Sequence, residues 1–187
     1  AEPDRQSFAN VCYASASLAA LAALAAVVFF RETLSESARA QTEADRPRRF
    51  AMLASRPALA RFVGVMFLTI AAQALMETTF GLWADAELNW GPRQVGWTLA
   101  SLGVGAVLLQ GGLAGRASRV LGERLTLLIG LALFAAGFGG LAVTHEAATM
   151  AAALTALVTG IGLATPALNA LIAAQASDHE RGAVMGL

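Results

Sequence analysis

Thr69, Gln73 and Glu77 recur at four-residue spacing inside an otherwise apolar stretch, Phe62 to Ala84, in which Glu77 is the one charge. On a helix that spacing puts all three on one face. A carboxyl well inside a membrane span costs roughly 2.5–3.5 kcal/mol even on lenient scales, so it normally faces a wet cavity and marks a proton or substrate path. Removal from water favours the neutral form of such a group, which suits a carboxyl that loads and releases a proton. Counted from Pro57, however, Glu77 lies in the far part of its helix, where the cost is lower. A wet carboxylate that only solvates the mouth of a cavity therefore stands as the competing reading.

A second polar face follows later. Thr155, Thr159, Gly162, Pro166 and Asn169 succeed one another at intervals of four and three, again one side of a helix. Gln94, Thr98, Ser101 and Gly105 make a weaker stripe between these two. For Ser101, Gly105 and the Gly111/Gly115 pair, close approach of neighbouring helices explains the residue types better than substrate contact does. Gln73 and Asn169 carry larger amides that need partners, and for them the two explanations balance. Pro166 removes one backbone hydrogen bond and is expected to kink its helix. Gly160 and Gly162 make that stretch deformable. A static kink shaping a cavity is favoured over a gating hinge, because membrane helices tolerate such residues.

Other chemistry has no residues to carry it. Cys12 is the single cysteine, and His145 and His179 fall in turns at opposite ends of the helices. There is no Ser–His–acid set, no metal-ligand spacing and no glycine-rich phosphate loop followed by lysine. The chain is thus read as a non-enzyme without metal or cofactor, and nucleic acid is not an expected partner.

The elements that must position the two polar faces are long apolar runs. Phe8 to Phe30, Gln94 to Gly115, Leu125 to Thr144 and Ala147 to Ser177 carry no charge. A helix needs ~20 mostly apolar residues to cross a hydrocarbon core ~30 Å thick, and in lipid only a helix satisfies its own backbone without leaving an edge. With Phe62 to Ala84 this gives about five full spans of an all-α, polytopic transmembrane bundle, with the lipid bilayer as its solvent. The composition, 57% hydrophobic and 14% charged, fits that reading and not a soluble domain, where ~25% is charged. The first and fourth runs are almost purely apolar and are expected to face lipid, while the second and fifth line a cavity.

All thirteen basic residues are arginine. Six of them lie between the first two spans, from Arg31 to Arg56, and Arg116, Arg119 and Arg124 cluster between the third and fourth. Short arginine-rich loops stay in the cytoplasm, so the Arg31 to Arg56 loop is expected inside. Trp83, Trp90 and Trp97 surround the next turn, where indoles favour the opposite interface. The domain reading is one helix over 1–30, a cytoplasmic loop between bundles over 31–57, and a bundle over 58–187. RGAVMGL at Arg181 to Leu187 reads as the opening of another helix cut short.

FFRETL (Phe29 to Leu34), METTFGLWAD (Met76 to Asp85), NWGPRQVGW (Asn89 to Trp97), QGGLAGRASRVLGER (Gln110 to Arg124) and GIGLATPALNALIAAQASDHERGAVMGL (Gly160 to Leu187) occur in that order. In this order they resemble the major facilitator superfamily, particularly bacterial drug–proton antiporters of the tetracycline-efflux type. The likeness runs from that family's sixth helix to the start of its eleventh. Gly112 to Arg124, with Arg116 and Gly122, resembles a degraded and lengthened second-half copy of the family's cytoplasmic loop motif. Gly115 stands where that motif has its aspartate.

The resemblance implies a partial major-facilitator fold from a twelve-helix transporter, a monomer of two bundles in a bacterial inner membrane. Its substrate would bind near the midplane between bundles that rock to alternate access. Proton-coupled efflux of small amphipathic molecules is the leading expectation. A metabolite or sugar transporter is the alternative; the sparse polar stripes favour it less, and a membrane scaffold comes last.

Overall fold

The computed structural model describes residues 5–29 and 55–175. The chain divides into two units, Ala1–Asp45 and Arg46–Leu187. The first holds α1 (Arg5–Phe29). Within that unit Leu18, Leu21, Leu24, Val27 and Phe29 are all exposed. A helix apolar on every side suits a hydrocarbon surrounding and not water.

The second unit holds α2 (Pro57–Leu88), α3 (Pro92–Leu108), a π-helical turn over Leu109–Leu113, α4 (Ala114–Leu121), α5 (Glu123–Val143) and α6 (Ala147–Ala173). With α3 to α4 taken as one rod, Pro92–Leu121, five helices among the described residues are long and apolar enough to cross a membrane. The all-α polytopic bundle read from the sequence is what the chain forms.

Local chemistry sets the element ends. Pro57 and Pro92 occupy first-turn positions, where a missing N–H costs nothing and φ is already helical. Asn89 ends α2 in the left-handed region at φ 50°. Its N–H bonds to the Asp85 carbonyl, and the Trp90 N–H reaches the Ala84 carbonyl, so the last turn closes on itself. Gly122 stands at φ 78° between α4 and α5, a conformation open to glycine that reverses the chain with a single residue.

The third span continues to Leu121, beyond the Gly115 end expected for it. Residues 112–121, read as part of a loop, are helical; Arg116 and Arg119 stand exposed on α4. An amphipathic, arginine-bearing turn can leave the apolar core without ceasing to be a helix, because the arginines reach water along their own stems.

Among the described residues, the tightest contact joins α5 to α6. A Cβ on Gly160 would fall 2.4 Å from the Phe134 backbone nitrogen, and one on Gly130 would fall 2.7 Å from that of Ala164. A Cβ on Gly137 would meet the Leu157 nitrogen, also at 2.7 Å. Lipid tails are as apolar as leucine, so helices associate in a bilayer through van der Waals contact, which small residues permit by letting backbones approach. The lipid-facing reading of α5 fits its other side, where Leu125 and Leu128 are exposed. It missed this face.

Around that pair the core divides in two. Met76, Phe80 and Ala84 of α2 cluster with Met150, Leu154 and Leu157 of α6 and Phe134 of α5. Toward the other end Leu59 meets Ile172, and Leu127 joins Ala164, Ala167 and Leu168. α2 and α5 therefore both run antiparallel to α6. Trp83 stacks on Phe80 with centroids 5.9 Å apart, and Trp90 also packs against the core. Trp83 and Trp90 are half-buried, and Trp97 is 71% exposed.

Thr126 departs from this economy. Its hydroxyl is buried and has no hydrogen-bond partner among the described residues. Burying an unpaired hydroxyl costs roughly 1–3 kcal/mol by protein mutational measures. Thr126→Val should therefore leave the thermal unfolding midpoint in detergent unchanged or raise it. A clear fall would show that the hydroxyl has a partner.

Candidate functional site

α2 brings two members of the first polar face together. The Gln73 side-chain amide donates to Glu77 Oε1 at 2.8 Å. Gln73 is half-buried and Glu77 exposed, so the carboxylate is held from its own helix while its other oxygen stays open. Thr69 takes no part. It is buried at 6% exposure, and its hydroxyl donates to the Val65 carbonyl one turn back. Thr69 lies in register with Met76 and Phe80 on the core side, while Gln73 and Glu77 sit just round the helix from it.

Glu77 lies about two thirds of the way along α2, roughly 30 Å from Pro57 at ~1.5 Å per residue. Leu88 ends the helix beyond it, and in its last turn Glu87 Oε2 lies 3.0 Å from His145 Nδ1 of the α5–α6 turn. That contact ties two neighbouring turns at the tryptophan-bearing end. At the opposite end Arg56 Nη1 donates to the Gln175 carbonyl at 3.2 Å, joining the start of α2 to the end of α6.

On α6 the threonines satisfy themselves. Thr155 donates to the Ala151 carbonyl and Thr159 to the Thr155 carbonyl, both at 2.7 Å. Thr155 is exposed, while Thr159 and Asn169 are half-buried. The inner part of this stripe is covered. Leu109 of the π turn approaches the place where a Gly162 side chain would begin, at 3.3 Å. Gly160 faces α5 instead, so it is a contact glycine and does not share a face with Gly162. Gln94 likewise belongs to the structure: its side-chain oxygen accepts the Gly91 N–H at 3.1 Å and caps α3.

Pro166 lines a cleft of about 330 Å³ with Ala114, Gly115, Ser118, Arg119 and Glu123. Ser118 Oγ donates to Glu123 Oε2 at 2.8 Å, bridging α4 and α5 across Gly122. Of the loop-motif residues, Gly112 lies in the π turn, Arg116 on α4, Gly122 in the reversal and Arg124 in the first turn of α5. They do not converge on one another. Sequence reading had missed Ser118 and Glu123; a hydroxyl and a carboxylate flanking an isolated glycine were the available signal.

A model of the Major Facilitator Superfamily matches residues 5–187. The chain belongs to that superfamily. Among curated relatives, the class G tetracycline resistance protein of Vibrio anguillarum is 31% identical over 177 residues, covering 92% of this chain and 44% of its own length. The class B tetracycline resistance protein of Escherichia coli is 32% identical over 110 residues, 59% of this chain and 27% of that protein. A class C protein of Escherichia coli is 27% identical over 117 residues, 61% of this chain and 29% of that protein. The chain thus spans less than half the length of the curated relatives it matches. No solved structure matches it. As a superfamily member with these spans it is a multi-pass membrane protein.

The Arg31 to Arg56 loop, apart from Ser55 and Arg56, lies outside the described residues, as do His179 and Arg181.

Proposed function

We propose that this major facilitator chain is part of a proton-coupled exporter of small amphipathic compounds that works by alternating access. The Gln73–Glu77 pair carries the reading. Among the described residues it is the one place within a span where a carboxylate is held by an amide partner and left open on its other side. Gln73 and Glu77 flank Met76, and Thr155 flanks Leu154, on helices that meet through Met76 and Leu154 in one core cluster. In antiparallel helices a step of one residue turns both chains to the same side of their contact. In this reading the open parts of the two polar faces border one space, with Thr159 and Asn169 further along it. Few polar groups line that space, which favours amphipathic molecules over sugars, whose hydroxyls need many converging partners.

In this reading residues 1–30 supply a helix of one bundle, 31–57 a cytoplasmic connection, and 58–187 most of a second bundle. The complete protein is a monomeric twelve-helix transporter of the bacterial inner membrane, and small molecules and protons are its ligands. The names of its relatives make a tetracycline the first compound to test. Everted vesicles containing the full-length protein should accumulate radiolabelled tetracycline when a proton gradient is imposed and lose it on adding a protonophore. Glucose should not accumulate. Sugar uptake without drug uptake, or drug uptake indifferent to the protonophore, would overturn the proposal.

Orientation has its own check. In a Cys12→Ser background, a cysteine in place of Asn89 should react with an impermeant thiol reagent from outside intact cells, and one in place of Ala40 should not. The reverse pattern would invert the topology.

A further inference from the structure

The rod from Pro92 to Leu121 is interrupted once, by the π-helical turn at Leu109–Leu113. There the Ala114 N–H donates to the Leu109 carbonyl, spanning five residues where an α-helix spans four. Such a turn absorbs one extra residue and leaves the helix beyond it facing as it would without the insertion. Two of its five residues are glycines, Gly111 and Gly112, and a Cβ on either would meet nothing within 4 Å. Close approach therefore does not explain them, unlike Gly130, Gly137 and Gly160. What the pair supplies is backbone freedom.

The turn has a fixed side and a loose side. At its start and above it, Leu109 lies 3.3 Å from where a Cβ on Gly162 of α6 would be, and a Cβ on Gly105 would lie 3.8 Å from Val158. Below it, α4 is eight residues long and ends at Gly122, itself in a glycine-permitted conformation. α4 is held by Ala114, 2% exposed, and by the Ser118–Glu123 hydrogen bond. Beside it lies the cleft of about 330 Å³ whose far wall is Pro166. Pro166 leaves the Gly162 carbonyl without its usual helical donor, so α6 is irregular at the level where the rod is irregular.

We propose that Leu109–Leu113 is a π-to-α register switch that turns α4 as a unit at the arginine-bearing end of the bundle. When the turn relaxes to α geometry without losing a residue, everything after it rotates by about 100°, one residue's worth. Ala114 then leaves its buried place, Ser118 parts from Glu123, and Arg116 and Arg119 sweep to a new side. One exchangeable hydrogen bond and one small buried side chain are all that this rotation gives up, so both registers can be populated. Its use as a gate on that face rests on the transport reading above; the register change itself does not.

Deleting Gly111 removes the extra residue. The rod can then be α-helical throughout while Ala114 keeps its present facing, so the switch has no second register. The test uses the full-length protein in native membranes, in a Cys12→Ser background, with Ala114→Cys or Val120→Cys as the single thiol. Val120 is 82% exposed and sets the reference rate. With Gly111 present, position 114 should be alkylated at about 0.1–10% of that reference, as expected for a minor state a few kcal/mol above the major one. Deletion of Gly111 should slow labelling of position 114 at least about tenfold further. Equal labelling with and without Gly111 would overturn the switch. If the deletion variant does not accumulate, labelling of the undeleted protein below about 0.1% of the reference overturns it alone. Since no transport is measured, this outcome is separate from that of the efflux assay.

Discussion

Gly160→Ala should sharply reduce the amount of folded protein. A Cβ there would lie 2.4 Å from the Phe134 nitrogen and 2.6 Å from the Gly130 carbonyl oxygen. Both are backbone atoms, so no side chain can swing aside and the helices must separate. Overfilling a well-packed interior typically costs 1–3 kcal/mol, and occasionally more. With backbone on the receiving side, about 3 kcal/mol is expected here. Gly139→Ala on α5 is the matched control, because nothing lies within 4 Å of its Cβ position. Alanine favours a helix over glycine by about 1 kcal/mol, so that variant should be neutral or slightly stabilised. Unfolding midpoints in detergent compare the two. Equal midpoints would mean that α5 and α6 are not in backbone contact.

Glu77→Gln should leave the protein folded and abolish most proton-coupled transport. Glutamine keeps the length and the hydrogen-bonding capacity needed to face Gln73, whose amide now donates to Glu77 Oε1 at 2.8 Å. It removes a charge that a span tolerates poorly, so protein levels should hold. The one titratable group of the polar face is lost. Drug accumulation in everted vesicles should fall at least about tenfold, equivalent to ~1.4 kcal/mol in the rate-limiting barrier. Whatever dependence on pH the native transport shows should flatten, because the variant has no carboxyl on this face to exchange a proton. A wild-type rate and pH profile in this variant would leave Glu77 as a solvating group at the cavity mouth.

Span-scale features were readable from the sequence because the bilayer imposes them. Uninterrupted apolar length needs no knowledge of neighbours, and neither does the proline at the start of α2 and α3. Which side of each helix turns inward was less legible. Thr69, Gln73 and Glu77 share a four-residue spacing, yet 69 and 77 are eight residues apart and drift about 80° round the helix. That drift puts Thr69 in the core and leaves Glu77 open. Hydroxyls also conceal their surroundings, since Thr69, Thr155 and Thr159 all bond to carbonyls of their own helix and are as content in a core as in a cavity.

Glycines were the hardest to read. Gly160, taken with Gly162 and Pro166 as a deformable stretch, is a contact residue against Phe134, while Gly111 and Gly112, set down to close helix approach or to a loop, touch nothing. Sequence spacing cannot separate these roles, because both ask for the absence of a side chain and only the partner helix decides which applies. The π turn had no signature either, as the same residues would sit in an unbroken α-helix.

Glu77 is expected to carry a proton in exchange for drug. Everted vesicles holding an imposed, acid-inside gradient, reported by a quenched acridine dye, measure this when tetracycline is added outside. The native full-length protein should let protons leave as drug enters, and fluorescence should recover. Glu77→Gln at equal protein level should bind the drug and give no recovery. Recovery in Glu77→Gln equal to that of the native protein would contradict the role assigned to Glu77.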